Sequence, residues 1–170
     1  MLHDVGRFEQ LRRYGTFSDA DSIDHAALGA DILFGGPLSA GKGLIRTYVD
    51  DAAEDEVIET AIRVHSAYRI PEGLAPRTEK LCHILRDADK IDIFQIVRTA
   101  MEKNQFIDHP EMLLHVSIEG PATPALLDEL EKTRTASYKN LQTLADFLLV
   151  QLFWVYDIHY APTFRMVSAH

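Results

Sequence analysis

A chain of 170 residues is of a size that folds as one compact domain, and its 46% apolar and 25% charged residues exclude a disordered or collagen-like polymer. Its 26 acidic against 17 basic residues give a formal charge of -9, which opposes binding to extended nucleic acid. The single Cys82 excludes an intrachain disulfide framework and a cysteine-based zinc cluster, and fits a reducing compartment.

No secretory signal opens the sequence, so the expected location is cytoplasmic. The most apolar stretch, Leu144 to Tyr156, is interrupted by Asp146 and Gln151 and falls short of the roughly 20 apolar residues of a membrane span. It is expected to be a buried helix, with no membrane partner.

Arg12 to Asp21 is polar and reads as a loop. Ser22 is placed to cap a helix running to about Phe34. Its inward rows include Leu28 and Ile32, and Gly29 and Ala30 leave room for another backbone. His25, three residues before Leu28, therefore points into the fold. Gly35, Gly36, Pro37, Gly41 and Gly43 form a turn, and the residues around Lys42 lack the spacing of a phosphate loop. A second helix starts near Asp51, with Glu54 completing a capping box, and continues through His65. Ala61 and Ile62 set His65 beside an apolar stripe, and Pro71 and Pro76 close the segment.

From Thr78 to about Ala100 the pattern is helical, with Leu81, Ile84, Leu85 and Ala88 inward. That row runs into Asp89 and Asp92, so carboxylates enter an apolar face, and a metal ion is one physical reason for placing them there. Gly120, Pro121 and Pro124 mark a break. Residues 124–157 then form a helical region, interrupted between Thr133 and Ser137, that completes the core or forms a contact in a homodimer. With no repeat and no alternating strand pattern, the fold class is all-α.

His3 and Asp4 are adjacent, so on a regular helix they would point about 100° apart; a helix end or distorted turn lets both serve one ion. Three further segments present His25, His65 and Asp89 near apolar helical faces. Imidazole nitrogen and carboxylate oxygen suit one or two divalent ions such as manganese, iron, nickel, cobalt, zinc or magnesium. Such a set lowers the pKa of water and neutralises a phosphoryl oxygen. The competing structural reading has His25 bonded to a backbone carbonyl, His65 ending its helix, and Asp89 and Asp92 paired with Arg86 or Lys90.

The segment Leu2-His3-Asp4-Val5-Gly6-Arg7-Phe8 resembles the motif after which the His-Asp (HD) phosphohydrolases are named. Leu85-Arg86-Asp87-Ala88-Asp89-Lys90-Ile91-Asp92 resembles their later metal-binding aspartate motif. His25, in Asp24-His25-Ala26-Ala27-Leu28-Gly29-Ala30, and His65, in Ala61-Ile62-Arg63-Val64-His65, match the additional histidines of members with expanded sites. The resemblance covers about residues 1–100 and implies an HD-domain-like helical bundle. It implies metal ligation by His3, Asp4, His25, His65 and Asp89; His25 and His65 are expected to bind a second ion, with Asp4 placed to bridge the two. Members also use an earlier histidine on a preceding helix. Only Met1 and Leu2 precede His3, so the resemblance implies that this ligand and its helix are missing here, and that an extended chain would be more metal-loaded and more active.

The reaction so implied is hydrolysis of a nucleotide-like phosphate ester by metal-activated water. Asp4 and Asp87 would serve as acid-base or ligand-orienting groups, Lys90 would bind a phosphate oxygen, and Arg7, Arg69 or Arg86 would assist anion recognition. The alternatives are a non-catalytic metal- or nucleotide-binding regulatory domain and a di-iron oxygenase-type protein on the same scaffold.

Overall fold

The computed structural model describes residues 2–39, 41–109, 113 and 116–168. Among them the chain is helical, and its strand-like pairing is an isolated bridge between Ser117 and Thr143. The fold is all-α. Two compact units divide it, Met1–Arg86 and Asp87–His170.

In the first unit a 3-10 turn, Leu2–Asp4, leads into α1, Val5–Tyr14. The helix runs three residues into the expected loop because Glu9 pairs with both Arg12 and Arg13, which hold its carboxyl at about 2. Gly15 ends it in the left-handed conformation, φ 68°, returning its N–H to the Leu11 carbonyl. A 3-10 turn at Asp19–Asp21 precedes α2, His25–Phe34. Asp24 rather than Ser22 caps α2, accepting from the N–H groups of Ala26 and Ala27, so His25 is its first residue.

Asp51 caps a 3-10 turn at Ala52–Glu54, which runs into α3, Asp55–Val64. Glu54 does not close a capping box; both its oxygens accept from Arg77. Pro76 opens α4, Pro76–Glu102, instead of closing the preceding segment, since proline's fixed φ suits a first helical turn. The core of this unit is Ala30, Leu33, Ile45 and Ile62. Beside it Asp31, 1% exposed, ties α2 to α3 through Arg63 at 2.5 Å.

α1 and α2 meet where neither has a side chain. A methyl group on Gly6 would collide with the His25 carbonyl oxygen and the Gly29 backbone, and one on Gly29 would sit against the Gly6 nitrogen and the His3 carbonyl. The two glycines let the backbones approach this closely.

On α4 the buried positions are Thr78, Cys82, Arg86, Asp87, Lys90, Val97 and Ala100, while Ile84, Ala88 and Asp92 are exposed and Asp89 is half-buried. The inward row is thus rotated from the apolar row expected, because Arg86, Asp87 and Lys90 are buried with polar partners.

The second unit contains α5, Gln105–Asp108, α6, Pro124–Thr133, α7, Leu144–Phe153, and α8, Ala161–Ser168. The expected run through 124–157 is divided: α6 stops at Arg134, φ 62°, and α7 starts afresh at Thr143 with a reciprocal capping box to Asp146. Both interruptions in the apolar stretch are buried alongside Phe147 and Val150: Asp146 is 0% and Gln151 3% exposed, whereas Leu152 is 65% exposed. Asp146 accepts from the N–H groups of Thr123, Gln142 and Thr143 at 2.7, 3.0 and 3.2 Å, joining the starts of α6 and α7. No described helix is long and apolar enough to cross a membrane.

Burial disfavours ionised Asp146, but the three N–H donors outweigh it and hold the carboxyl below its usual range. Asp146→Ala is expected to cost about 2–4 kcal/mol at neutral pH. A depressed folded-state pKa contributes stability that is complete above about pH 4 and is lost as pH falls through the folded value. Chemical denaturation of the two proteins at about pH 6 and about pH 3 should show the gap narrowing in acid; a gap of constant size would refute the assignment.

Candidate metal centre

The His3-Asp4 pair lies on the 3-10 turn ahead of α1, His25 on the first turn of α2 and His65 just past the end of α3. The tight turn lets neighbouring side chains serve one place, with His3 Nε2 3.4 Å from Asp4 Oδ2. Asp4 Oδ1 lies 3.4 Å from His25 Nε2 and 3.7 Å from His65 Nε2, and the two Nε2 atoms are 3.1 Å apart. His3 and His25 both stand edge-on to the His65 ring, with centroids 4.9 and 5.0 Å away. The His25 and His65 side chains are 3% and 1% exposed and Asp4 45%, so the imidazoles form the floor and the carboxylate the open side.

The other ring nitrogens fix what faces inward. His65 Nδ1 is 2.7 Å from the Ile62 carbonyl, and His25 Nδ1 is 2.7 Å from Asp19 Oδ2. Both partners only accept, so each Nδ1 carries a proton, and a ring with no second proton turns an Nε2 lone pair towards the other and towards a carboxylate. A proton or a cation resolves that conflict. Burial works against charge on His25, but hydrogen bonds with Asp19 and Asp4 outweigh it and raise its pKa. Burial likewise opposes ionised Asp4, and hydrogen bonds with His25, His3 and His65 reverse this and hold its carboxyl well below the usual range.

The spacing also suits a cation. Ligand atoms about 2.1 Å from one centre lie roughly 3.0–3.7 Å apart at bond angles between octahedral and trigonal. The measured separations, 3.1, 3.4 and 3.7 Å, fall in that interval. Among the described residues, two groups of side chains have ligand atoms close enough to hold a metal ion, His3-Asp4-His65 and Asp19-Asp24-His25. No family model, no curated protein and no solved structure matches the chain. The geometry supports a helical protein with two His/Asp clusters able to coordinate metal.

The remaining sequence candidates have these positions. Arg7 Nη1 donates to the Phe17 carbonyl at 2.5 Å and to Asp19 Oδ1 at 3.1 Å, and Arg7 Nε lies 3.8 Å from Asp4 Oδ1. Arg69 is exposed beside the Tyr68 ring. Buried Arg86 donates from Nη1 to the carbonyls of Val64, His65 and Ala67 at 3.2, 3.0 and 2.5 Å, binding the chain on either side of His65. In the second unit Asp87 accepts from the N–H groups of His159 and Tyr160 just ahead of α8, and Lys90 pairs with Asp157 at 2.7 Å. Asp89 is half-buried in that unit too.

Sequence reasoning missed Asp19 and Gln10. The available signal was the acid-rich Asp19-Ala20-Asp21-Ser22-Ile23-Asp24 run just before His25, read only as loop and cap. Gln10, 0% exposed, donates from Nε2 to Asp19 Oδ1 at 2.7 Å and to the Ile23 carbonyl at 2.9 Å.

The centre depends on the crossing of α1 and α2. Gly6→Ala forces the two backbones apart and is expected to cost about 2 kcal/mol or more while weakening cobalt(II) uptake. Phe8→Ala, at a 79% exposed position on the same helix, should change stability by only about 0.5 kcal/mol. Thermal denaturation with a parallel cobalt titration checks both, and wild-type behaviour of Gly6→Ala would refute the packing argument.

Proposed function

We propose that this chain is a metal-dependent phosphohydrolase of the His-Asp type, acting on nucleotide-like phosphate esters. The observation that carries this reading is the meeting of two inward imidazole nitrogens, with both Nδ1 protons already committed, and the carboxylate of Asp4. His3, Asp4, His25 and His65 would hold the cation. A divalent cation there would supply the charge that acidifies water and offsets charge developing on a phosphoryl oxygen.

The protein's own groups divide the remaining work. His25 and His65, anchored through Nδ1, keep their donor atoms fixed before a ligand arrives. Asp4 lies on the accessible side, where it would orient the attacking water. Arg7, against the same carboxylate, balances that charge and marks the side on which an anionic ester is received.

The test measures metal content and phosphate release across nucleoside mono-, di- and triphosphates and phosphodiesters, for the wild type and His65→Ala. Removing the fixed His65 donor should lower metal affinity by about tenfold or more and abolish release. Metal and nucleotide binding without release from any ester would replace this reading with a regulatory binding domain. Oxygen consumption coupled to substrate oxidation, again without phosphate release, would replace it with a di-iron oxygenase.

A further inference from the structure

We propose that Asp19 is the positioning residue of the centre, and that the Asp19-Asp24-His25 cluster supports the first cluster rather than forming a second cation site. This rests on the metal reading of His3, Asp4, His25 and His65, which it deepens by assigning the group that aims one ligand.

The argument begins with what already occupies the second cluster. The Asp24 carboxylate accepts the N–H groups of Ala26 and Ala27 at 2.9 and 3.0 Å, where it caps α2. Asp19 Oδ1 accepts from Arg7 and Gln10, and Asp19 Oδ2 faces His25 Nδ1 at 2.7 Å. That ring nitrogen carries a proton, since a carboxylate only accepts. A cation among these groups would have to displace the proton and compete with N–H donors on both acids. The same contacts leave His25 Nε2 as the atom presented to His65 and Asp4.

Asp19 is itself braced. Its 3-10 turn is held by the Ser18 hydroxyl donating to Asp21 Oδ2 at 2.6 Å and by the Ser22 hydroxyl donating to the Ser18 carbonyl at 2.7 Å. Gln10 Nε2 lies 3.0 Å from the Ser22 oxygen as well as reaching Asp19 and Ile23, so the end of the loop is fastened to α1. Arg7 Nη1 touches the Gln10 amide oxygen, the Phe17 carbonyl and Asp19. The line from α1 through Gln10 and Asp19 to His25 fixes ring orientation and tautomer together, the task of a carboxylate behind a ligating histidine.

The test uses Asp19→Ala and the milder Asp19→Asn, which keeps an oxygen able to accept from Nδ1, with circular dichroism confirming that both fold. Nitrogen-15 chemical shifts report the His25 tautomer without added metal, at a pH where the ring is neutral, and cobalt(II) titration reports affinity and the visible ligand-field spectrum. The wild type should show the Nδ1–H form. Asp19→Ala should show a shift towards Nε2–H, with cobalt affinity reduced about 10- to 100-fold and a changed spectrum; Asp19→Asn should retain more of both properties. An unchanged tautomer in Asp19→Ala overturns the positioning role, as does a changed tautomer with unchanged cobalt binding. Failure of the wild type to take up cobalt would count against the metal reading itself. The tautomer shift would then still support Asp19 as the group that orients His25.

Discussion

The close crossing of α1 and α2 at Gly6 and Gly29 is the constraint on which the centre depends. A side chain at Gly6 has nowhere to go, because the His25 carbonyl and the Gly29 backbone fill the space a methyl group would take. The crossing lies three residues after His3 and four after His25, so close backbones there bring His3-Asp4 and His25 together. Other contacts extend the frame without replacing this one. Arg63 compensates buried Asp31 and fastens α3 to α2, while Arg86 holds the carbonyls that flank His65. Losing either arginine would leave buried acceptors exposed to the full desolvation penalty.

Given that frame, the electrostatics follow from hydrogen-bond chemistry. A carbonyl and a carboxylate on the outer ring nitrogens dictate lone pairs on the inner ones. Acceptors that converge without donors repel, and a protein retains such an arrangement when a proton or cation completes it. Asp19 and Asp4 make His25 receptive to a proton despite burial. A cation drawn to the same place meets a compact set of donors already turned towards it.

The sequence made the histidines easier to place than the polar faces of the helices around them. His25 and His65 were legible beside apolar rows because burial of an imidazole leaves a periodic trace, while His3-Asp4 stood out through its resemblance to the His-Asp motif. The inward face of α4 was misread because its buried positions include Arg86, Asp87 and Lys90, whose partners lie far along the chain or on backbone carbonyls. The same difficulty affected α7. Asp146 and Gln151 looked like interruptions of an apolar stretch, yet Asp146 organises the turn that starts the helix. A polar residue declares its burial only through its partners, and those are tertiary. Asp19 was missed for a related reason, since its role lies in Gln10, Arg7 and His25 rather than in its own neighbourhood.

The buried and partly buried acids also separate by the kind of donor they face. Asp31 receives Arg63 and the Leu38 N–H, Asp87 receives the N–H groups of His159 and Tyr160, and Asp146 receives three backbone N–H groups. Each of these donors stays a donor at every physiological pH, so these carboxylates are committed to holding the chain in place. Asp4 instead faces His3, His25 and His65, and an imidazole nitrogen donates or accepts according to its proton. Their inward nitrogens can take up a proton or turn lone pairs to a cation without leaving a backbone group unsatisfied. That difference in partner chemistry, more than burial or acidity, sets Asp4 apart from the acids that hold the chain in place.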